Sequence, residues 1–296
     1  MEYGIIGTGA IGLPIAKRIV NGGVKLKFYA RRSEVIDELK ADGAEFYGST
    51  GELGAACDVV FLFVNTYDQC VECTETLLST MKRGGIILIG ATISPKQMAV
   101  LDKMCADKGI TALASPVTGG VKGAREGTLT VILSGDSAAI EKVTPCIKTF
   151  GSHLYDLGED VKLAHTMKSL VQLLVGINTV ATAEVLVLGT KSGLDPNQIY
   201  ETICNSAGVS RIFENRACTM IARDFRRRGT VNILQKDLKI SKELALDANI
   251  PLLLGDPASR LFSIGTQMLD GEQDFSAIVK LYETWGNIKL SDEEEK

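Results

Sequence analysis

Three glycines near the start limit what this chain can become. They lie in the stretch Gly7, Thr8, Gly9, Ala10, Ile11, Gly12, directly after the apolar run Tyr3 to Ile6 and before an amphipathic stretch reaching Val20. A strand, a G-x-G-x-x-G turn and a helix in that order suit a dinucleotide. The first glycine allows the tight turn, the second lets backbone approach a pyrophosphate, and the third lets the helix pack close to its strand. A second strand, Val24 to Tyr29, follows a turn at Gly22 and Gly23 and closes a βαβ unit of about 30 residues. Elsewhere the motif can be a plain glycine-rich turn; in this context it predicts dinucleotide binding.

The residues after the second strand bear on which dinucleotide. An acidic side chain about 20 residues past the glycines would hold the ribose 2′-hydroxyl of NAD. This chain has Ala30, Arg31, Arg32 and Ser33 there instead. Two guanidinium groups and a hydroxyl suit a 2′-phosphate, so NADP is expected, with NAD the alternative; solvated surface arginines would have the same spelling.

The βα alternation continues through apolar runs at Val59 to Val64 and Ile86 to Ile89, which end in Asn65-Thr66 and Ala91-Thr92. Helical spacing fills Tyr67 to Lys82 and Pro95 to Lys108. Ligands of doubly wound sheets lie at the carboxyl ends of strands, so Val64, Asn65, Thr66 and Thr92 should border the cofactor. The short strand Thr111 to Ala114 then leads through Ser115, Pro116, Val117 and Thr118 to the pair Gly119-Gly120. Adjacent glycines after a strand can cup a carboxylate on their N–H groups, or simply form a loop. Strands at Leu129 to Leu133 and His153 to Tyr155, with a helical stretch Ala138 to Phe150 between them, complete the first half.

Leu163 to Lys191 runs without a proline and predicts a helix on the order of 40 Å long. Leu, Val, Ile, Met or Ala in nearly every turn predicts burial most of the way round. One stripe differs: at about 100° per residue, His165, Lys168, Gln172, Val175, Thr179 and Thr182 share a face, with the most polar of them in the first two turns. A lysine on an otherwise buried helix needs a partner or a job, and a desolvated ammonium gives up its proton more readily. Gly193 and Asp195-Pro196 stop this helix and open the next. Beyond it only helices are predicted, at Pro196 to Asn205, Ser210 to Ala222, Val231 to Asp247, Pro257 to Leu269 and Phe275 to Leu290. The expected fold is an α/β, Rossmann-type doubly wound sheet over residues 1–162, joined by the long helix to an all-α domain over residues 163–296.

A net charge of −4 leaves no footprint for nucleic acid. The run Val59 to Val64 is too short to cross a bilayer and the long helix is interrupted by His165, Lys168 and Gln172, so no membrane span is expected. A strand pattern beginning at Tyr3 leaves no room for a secretory signal. Seven scattered cysteines, an odd number, read as reduced thiols of a cytoplasmic protein. Cys70 and Cys73 form a lone C-x-x-C without a second pair of ligands, so no metal is expected. His153 falls on a surface strand and His165 one turn before Lys168; each reads first as structural. The acidic run Ser291 to Lys296 has nothing apolar to dock and predicts fraying.

Taken together, GIIGTGAIGLPIA at the start, SPVTGGVKGAREGTL before the fourth helical stretch, HTMKSLVQLL in the long helix, QKDL at 235–238 and DFSAIV at 274–279 resemble the β-hydroxyacid dehydrogenase family over essentially the whole chain. SAGVSRIFENR (206–216) and VNILQKDL are most similar to its L-threonate and D-erythronate dehydrogenase branch. The resemblance implies that Lys168 is the catalytic acid or base. It implies that Thr118, Gly119 and Gly120 hold a substrate carboxylate, that Gln172 holds substrate oxygens, and that Thr92 and Lys236 lie near the nicotinamide end of the cofactor. It implies association as homodimers or homotetramers through the helical half. Many members have Asn-Asn where this chain has Val171-Gln172, and Ser where it has Thr118; Ser115 replaces a common Ala and Ala114 a common Asp. The threonate-like branch usually carries an acidic residue where this chain has Arg31. The expected activity is hydride transfer between a nicotinamide cofactor and a small hydroxy acid. The rivals are imine reduction, which is associated with loss of the lysine, and a non-catalytic NADP-binding protein.

Overall fold

In the computed structural model, which describes residues 1–291, the chain forms two compact units, Met1–Lys168 and Ser169–Lys296. The fraying expected of the tail falls on residues 292–296, outside the described residues; Ser291, at its head, donates its hydroxyl to the Ile221 carbonyl at 2.9 Å.

Apolar runs without polar alternation favour a parallel sheet buried on both faces. Unit 1 is built that way. β1 (Tyr3–Ile6), β2 (Leu26–Tyr29), β3 (Glu45–Phe46), β4 (Val59–Leu62), β5 (Ile86–Ile89) and β6 (Thr111–Ala114) form an all-parallel sheet in the order β3-β2-β1-β4-β5-β6. Successive side chains enter opposite cores: Ile5, Phe61, Leu88 and Leu113 one, Ile6, Leu62, Ile89 and Ala114 the other. Helices α1 (Gly12–Asn21), α2 (Ser33–Ala41), α3 (Thr50–Ala56), α4 (Tyr67–Thr80) and α5 (Pro95–Ala106) connect the strands. The strand order reverses direction at β1, so the loops after β1 and β4 lie side by side, as the Phe63 N–H donating to the Ile6 carbonyl at 2.9 Å records. This is the switch point at which such sheets bind ligands.

A second, three-stranded sheet, β7 (Val117–Thr118), β8 (Leu129–Leu133) and β9 (Gly151–Asp156), carries α6 (Gly120–Glu126) and α7 (Ser137–Ile147). β7 pairs antiparallel to β8, and β9 parallel to it. The stretch that the sequence leaves open between an anion-cupping turn and a loop is a short strand, Val117–Thr118, followed by a helix that begins at Gly120. β3, α2 and α3 were not legible in advance.

α8 (Lys162–Lys191) spans 30 residues. Its burial corrects the sequence expectation. Leu163, Met167, Leu170, Leu174, Val185 and Leu188 are exposed, while the polar stripe is the protected one: His165, Thr179 and Thr182 are buried, and Lys168 is 7% exposed. Among the described residues α8 is the one helix long and apolar enough, by length and composition, to cross a bilayer. Unit 2 continues with α9 (Pro196–Cys204), α10 (Arg211–Ile221), α11 (Val231–Asp247), α12 (Gly255–Met268), a 3-10 turn at Phe275–Ile278 and α13 (Val279–Gly286) around a core that includes Phe213, Met220, Leu238, Phe262 and Ile278. The single helix expected from Phe275 to Leu290 ends at Gly286, where Asn287 turns left-handed with φ +46°.

Candidate active site

The glycine turn is set by sterics. Gly7 has φ +91°, and a Cβ there would lie 2.3 Å from the Phe63 carbonyl oxygen. A Cβ on Gly12 would lie 2.1 Å from the Gly7 carbonyl oxygen, which is the close approach of α1 to its strand. Gly9 differs, because a Cβ built there meets nothing within 4 Å. That open space is what a pyrophosphate approaching the backbone requires. Ile11, at the head of α1, makes no side-chain cap, and the Leu13 N–H donates back to the Gly9 carbonyl at 3.0 Å. The residues present fit a dinucleotide.

The neighbouring strand-end loops are held by caps. Thr66 accepts from the Gln69 N–H at 3.3 Å, while the Gln69 side chain accepts from the N–H groups of Asn65 and Thr66. Thr66 thus spends its hydroxyl on α4, whose start it fixes next to Val64 and Asn65. Ser94 and Gln97 make the same reciprocal box at α5, two residues after Thr92. Arg32 donates to the Thr8 carbonyl at 3.1 Å and lies 3.7 Å from Glu34, which ties the β2 end to the glycine turn. Arg31 and Ser33 are exposed beside it. Burial pushes the Cys73 thiol on α4 up to about 11, with Glu72 adding to the shift and the Arg31 charge pulling the other way.

At β7 the pair Gly119-Gly120 adopts φ +124° and +66°, both left-handed, and a Cβ on Gly119 would press on Leu129 at 3.2 Å. Both glycines are exposed and Thr118 is half-buried. Lys168 is set by the start of α8. Asp160 accepts from the Lys162 N–H at 3.0 Å, the buried Ser134 hydroxyl accepts from the Ala164 N–H at 3.1 Å, and Val161 and Ala164 join the unit 1 core. This anchors the turn that carries His165 and Lys168. His153 is exposed on β9, 2.9 Å from the Ser152 hydroxyl.

In unit 2 the structure joins two residues that sequence reasoning had kept apart. Gln172 Nε2 donates to Asp237 Oδ2 at 2.6 Å, and Lys236 Nζ lies 3.2 Å from Asp237 Oδ1. Asp237 is 2% exposed, and Ser241 donates to its carbonyl and to that of Ser169. No role had been assigned to Asp237. The signal was available: Val231, Leu234, Asp237, Leu238 and Ser241 line the buried face of α11, and an acid in such a stripe demands partners. Val171 is half-buried beside Gln172. All seven cysteines are free; Cys70 is buried, Cys73 half-buried, and among the described residues no group of three or more His, Cys, Asp or Glu could hold a metal.

Residues 2–158 match the family described as the NAD binding domain of 6-phosphogluconate dehydrogenase, and residues 163–282 the family described as NAD-binding of NADP-dependent 3-hydroxyisobutyrate dehydrogenase. The 2-(hydroxymethyl)glutarate dehydrogenase of Eubacterium barkeri is 30% identical, with 98% of each chain covered. The chain belongs to the β-hydroxyacid dehydrogenase family. As a member it is an oxidoreductase, and its first unit is an NAD(P)-binding domain. The L-threonate dehydrogenase of Cupriavidus necator is also 30% identical, over 95% of this chain and 96% of that one. The crystal structure of a 3-hydroxyisobutyrate dehydrogenase from Salmonella typhimurium superposes with a TM-score of 0.89 at 26% identity, over 95% of this chain and 99% of that one.

Proposed function

We propose that this enzyme is an NADP-dependent dehydrogenase or reductase of a small hydroxy acid, with a four-carbon sugar acid such as L-threonate the leading substrate, and that Lys168 is its acid-base group. The observation that carries the reading is Lys168 itself, an amine 7% exposed on the polar stripe of α8. Bound nicotinamide accepts or supplies the hydride. Lys168 takes the substrate hydroxyl proton in oxidation and returns a proton to the alkoxide oxygen in reduction, and as an ammonium it stabilises that oxygen's developing charge. The Gly119 and Gly120 N–H groups, with Thr118, hold the carboxylate; Gln172, one turn beyond Lys168, holds other substrate oxygens. Gly7 to Gly12 cradle the pyrophosphate, Arg31 and Ser33 take the 2′-phosphate while Arg32 braces the glycine turn through the Thr8 carbonyl, Val64, Asn65 and Thr66 border the dinucleotide, and Thr92 and Lys236 serve its nicotinamide end. Residues 1–162 act as the cofactor domain and 163–296 as the substrate and oligomerisation domain of a cytoplasmic homodimer or homotetramer.

The relatives' names support a hydroxy acid over an imine, as does retention of the lysine. The test is oxidation of hydroxy acids of two to five carbons with NADP and NAD side by side. Lys168→Ala should lower turnover on the best acid about 100- to 10,000-fold, the usual share of a general acid-base group, while NADPH binds within about twofold of wild type. Undiminished turnover in that variant removes Lys168 from the chemistry.

A further inference from the structure

A polar side chain sealed from water without a partner costs the fold the desolvation of that group, so each one asks for a reason. Most buried hydroxyls of this chain are matched. Ser134 accepts from the Ala164 N–H, Ser241 donates to two carbonyls, Ser276 donates to Asp274, and Thr179 and Thr182 each donate to a carbonyl one turn back along α8. Thr74 Oγ1 and Ser115 Oγ, by contrast, have no hydrogen-bond partner among the described residues. Thr74 is fully buried seven residues into α4, about 10 Å from the end of the helix that meets the strand tips. Ser115, 2% exposed, stands at a strand tip itself: it follows β6 directly, and its N–H carries the β5–β6 ladder one step further, to the Ile89 carbonyl at 2.9 Å. Three residues later comes Thr118, and then the left-handed glycine pair.

A dinucleotide has a direction across this edge. In doubly wound sheets the residue at the tip of the second strand meets the ribose of the adenosine half, and the crevice opens where the strand order reverses. In the order β3-β2-β1-β4-β5-β6 this leaves the tips of β4, β5 and β6 for the nicotinamide half. We infer that the Ser115 hydroxyl is a ligand for the carboxamide of the nicotinamide ring, the group that gives it the partner the fold does not. The inference stands on the dinucleotide-binding unit and needs neither the identity of the hydroxy acid nor the role of Lys168. A carboxamide offers one acceptor and two donors, and a serine hydroxyl can donate or accept, so the match holds in either orientation of the amide. Serine reaches three staggered positions about χ1, so the hydroxyl can turn to a bound ring without any shift of the backbone. The hydroxyl therefore lowers the stability of the empty protein and strengthens cofactor binding, opposite signs that a serine with a structural partner does not give.

The deciding variant is Ser115→Ala. Urea unfolding without cofactor should give a higher midpoint than wild type, because an unmatched hydroxyl is gone. The NADPH dissociation constant should rise about three- to tenfold, the usual worth of one neutral hydrogen bond, while 2′-phospho-ADP-ribose, which lacks only the nicotinamide, binds within about 1.5-fold of wild type. Thr74→Val, which removes an unmatched hydroxyl away from the strand tips, should leave both ligands unchanged. A midpoint that is not raised in Ser115→Ala means that the hydroxyl has a structural partner and overturns the inference. Unchanged NADPH affinity, an equal loss for 2′-phospho-ADP-ribose, or the same loss in Thr74→Val overturns it as well. If wild type binds NADH more tightly than NADPH, the 2′-phosphate reading fails separately, and NADH with ADP-ribose makes the same comparison.

Discussion

Arg31 and Arg32 are adjacent in sequence but differently engaged. Arg32 has its guanidinium on the Thr8 carbonyl at 3.1 Å, so it braces the glycine turn whichever dinucleotide is bound. Its pairing with Glu34, at 3.7 Å and with both side chains more than half exposed, adds little. Arg31 is exposed beside it, and the 2′-phosphate is the role proposed for it. Hydrogen bonds to charged groups are worth about 1.5 to 3 kcal/mol, so Arg31→Ala should raise the NADPH dissociation constant roughly 10- to 100-fold and leave that of NADH within about twofold. Arg32→Ala should weaken both cofactors to a similar degree. Fluorescence titration of the two cofactors against the two variants checks this; NADPH affinity unchanged in Arg31→Ala assigns the phosphate to other groups. The pair of arginines was legible in the sequence. The division of labour between them was not, because it depends on a carbonyl 24 residues away.

At the scale of elements, the short apolar runs of β1, β4 and β5, each four residues followed by a turn or polar residues, announced themselves, as did α8 and α11, whose periodicity extends over many turns. What stayed hidden was short or ambiguous: β3 is two residues long, and α3, TGELGAA, contains two glycines that weaken any helical signal. The burial of α8 was misjudged for a related reason. Composition counts leucines without saying which face they take, and the helix protects His165, Lys168, Thr179 and Thr182 while exposing Leu170, Leu174 and Leu188. The contact of α8 with α11 shows how narrowly this is built. A Cβ on Gly176 would lie 2.7 Å from a methyl of Leu238, a side chain with no exposure into which to swing. Gly176→Val should therefore cost about 1 to 3 kcal/mol by overpacking, more than its better helix propensity returns, and urea unfolding reads it directly. Because Leu238 follows Asp237 and Gly176 lies one turn past Gln172, the same variant should lose kcat/KM on the hydroxy acid while NADPH still binds. An unchanged midpoint and unchanged kinetics would mean that α11 can slide to accommodate the side chain.

For the whole molecule the unanswered face is the apolar one. Leu163, Met167, Leu170 and Leu174 follow one another at spacings of four, three and four residues along α8, and Val185 and Leu188 extend the stripe. Leu246, Ile250, Leu253 and Leu254 are 75%, 60%, 82% and 71% exposed where α11 gives way to α12. Single exposed leucines need no explanation, whereas a seam at this spacing is the pattern by which helices pair. Each such side chain contributes roughly 1.5 to 3 kcal/mol when buried, so a two-fold association using α8 and its copy has ample driving force. A lipid surface is the competing occupant, given the length of α8, but a spanning helix would have to carry Lys168 and His165 through the bilayer. The proposed assembly predicts a detergent-free protein whose light-scattering mass is two or four times 31.8 kDa. Leu170→Glu with Leu174→Lys should lower that mass toward one chain. Sedimentation with membranes, or a wild-type mass of one chain at micromolar concentration, would sink it, and would leave a 30-residue helix exposing a leucine seam that no association covers.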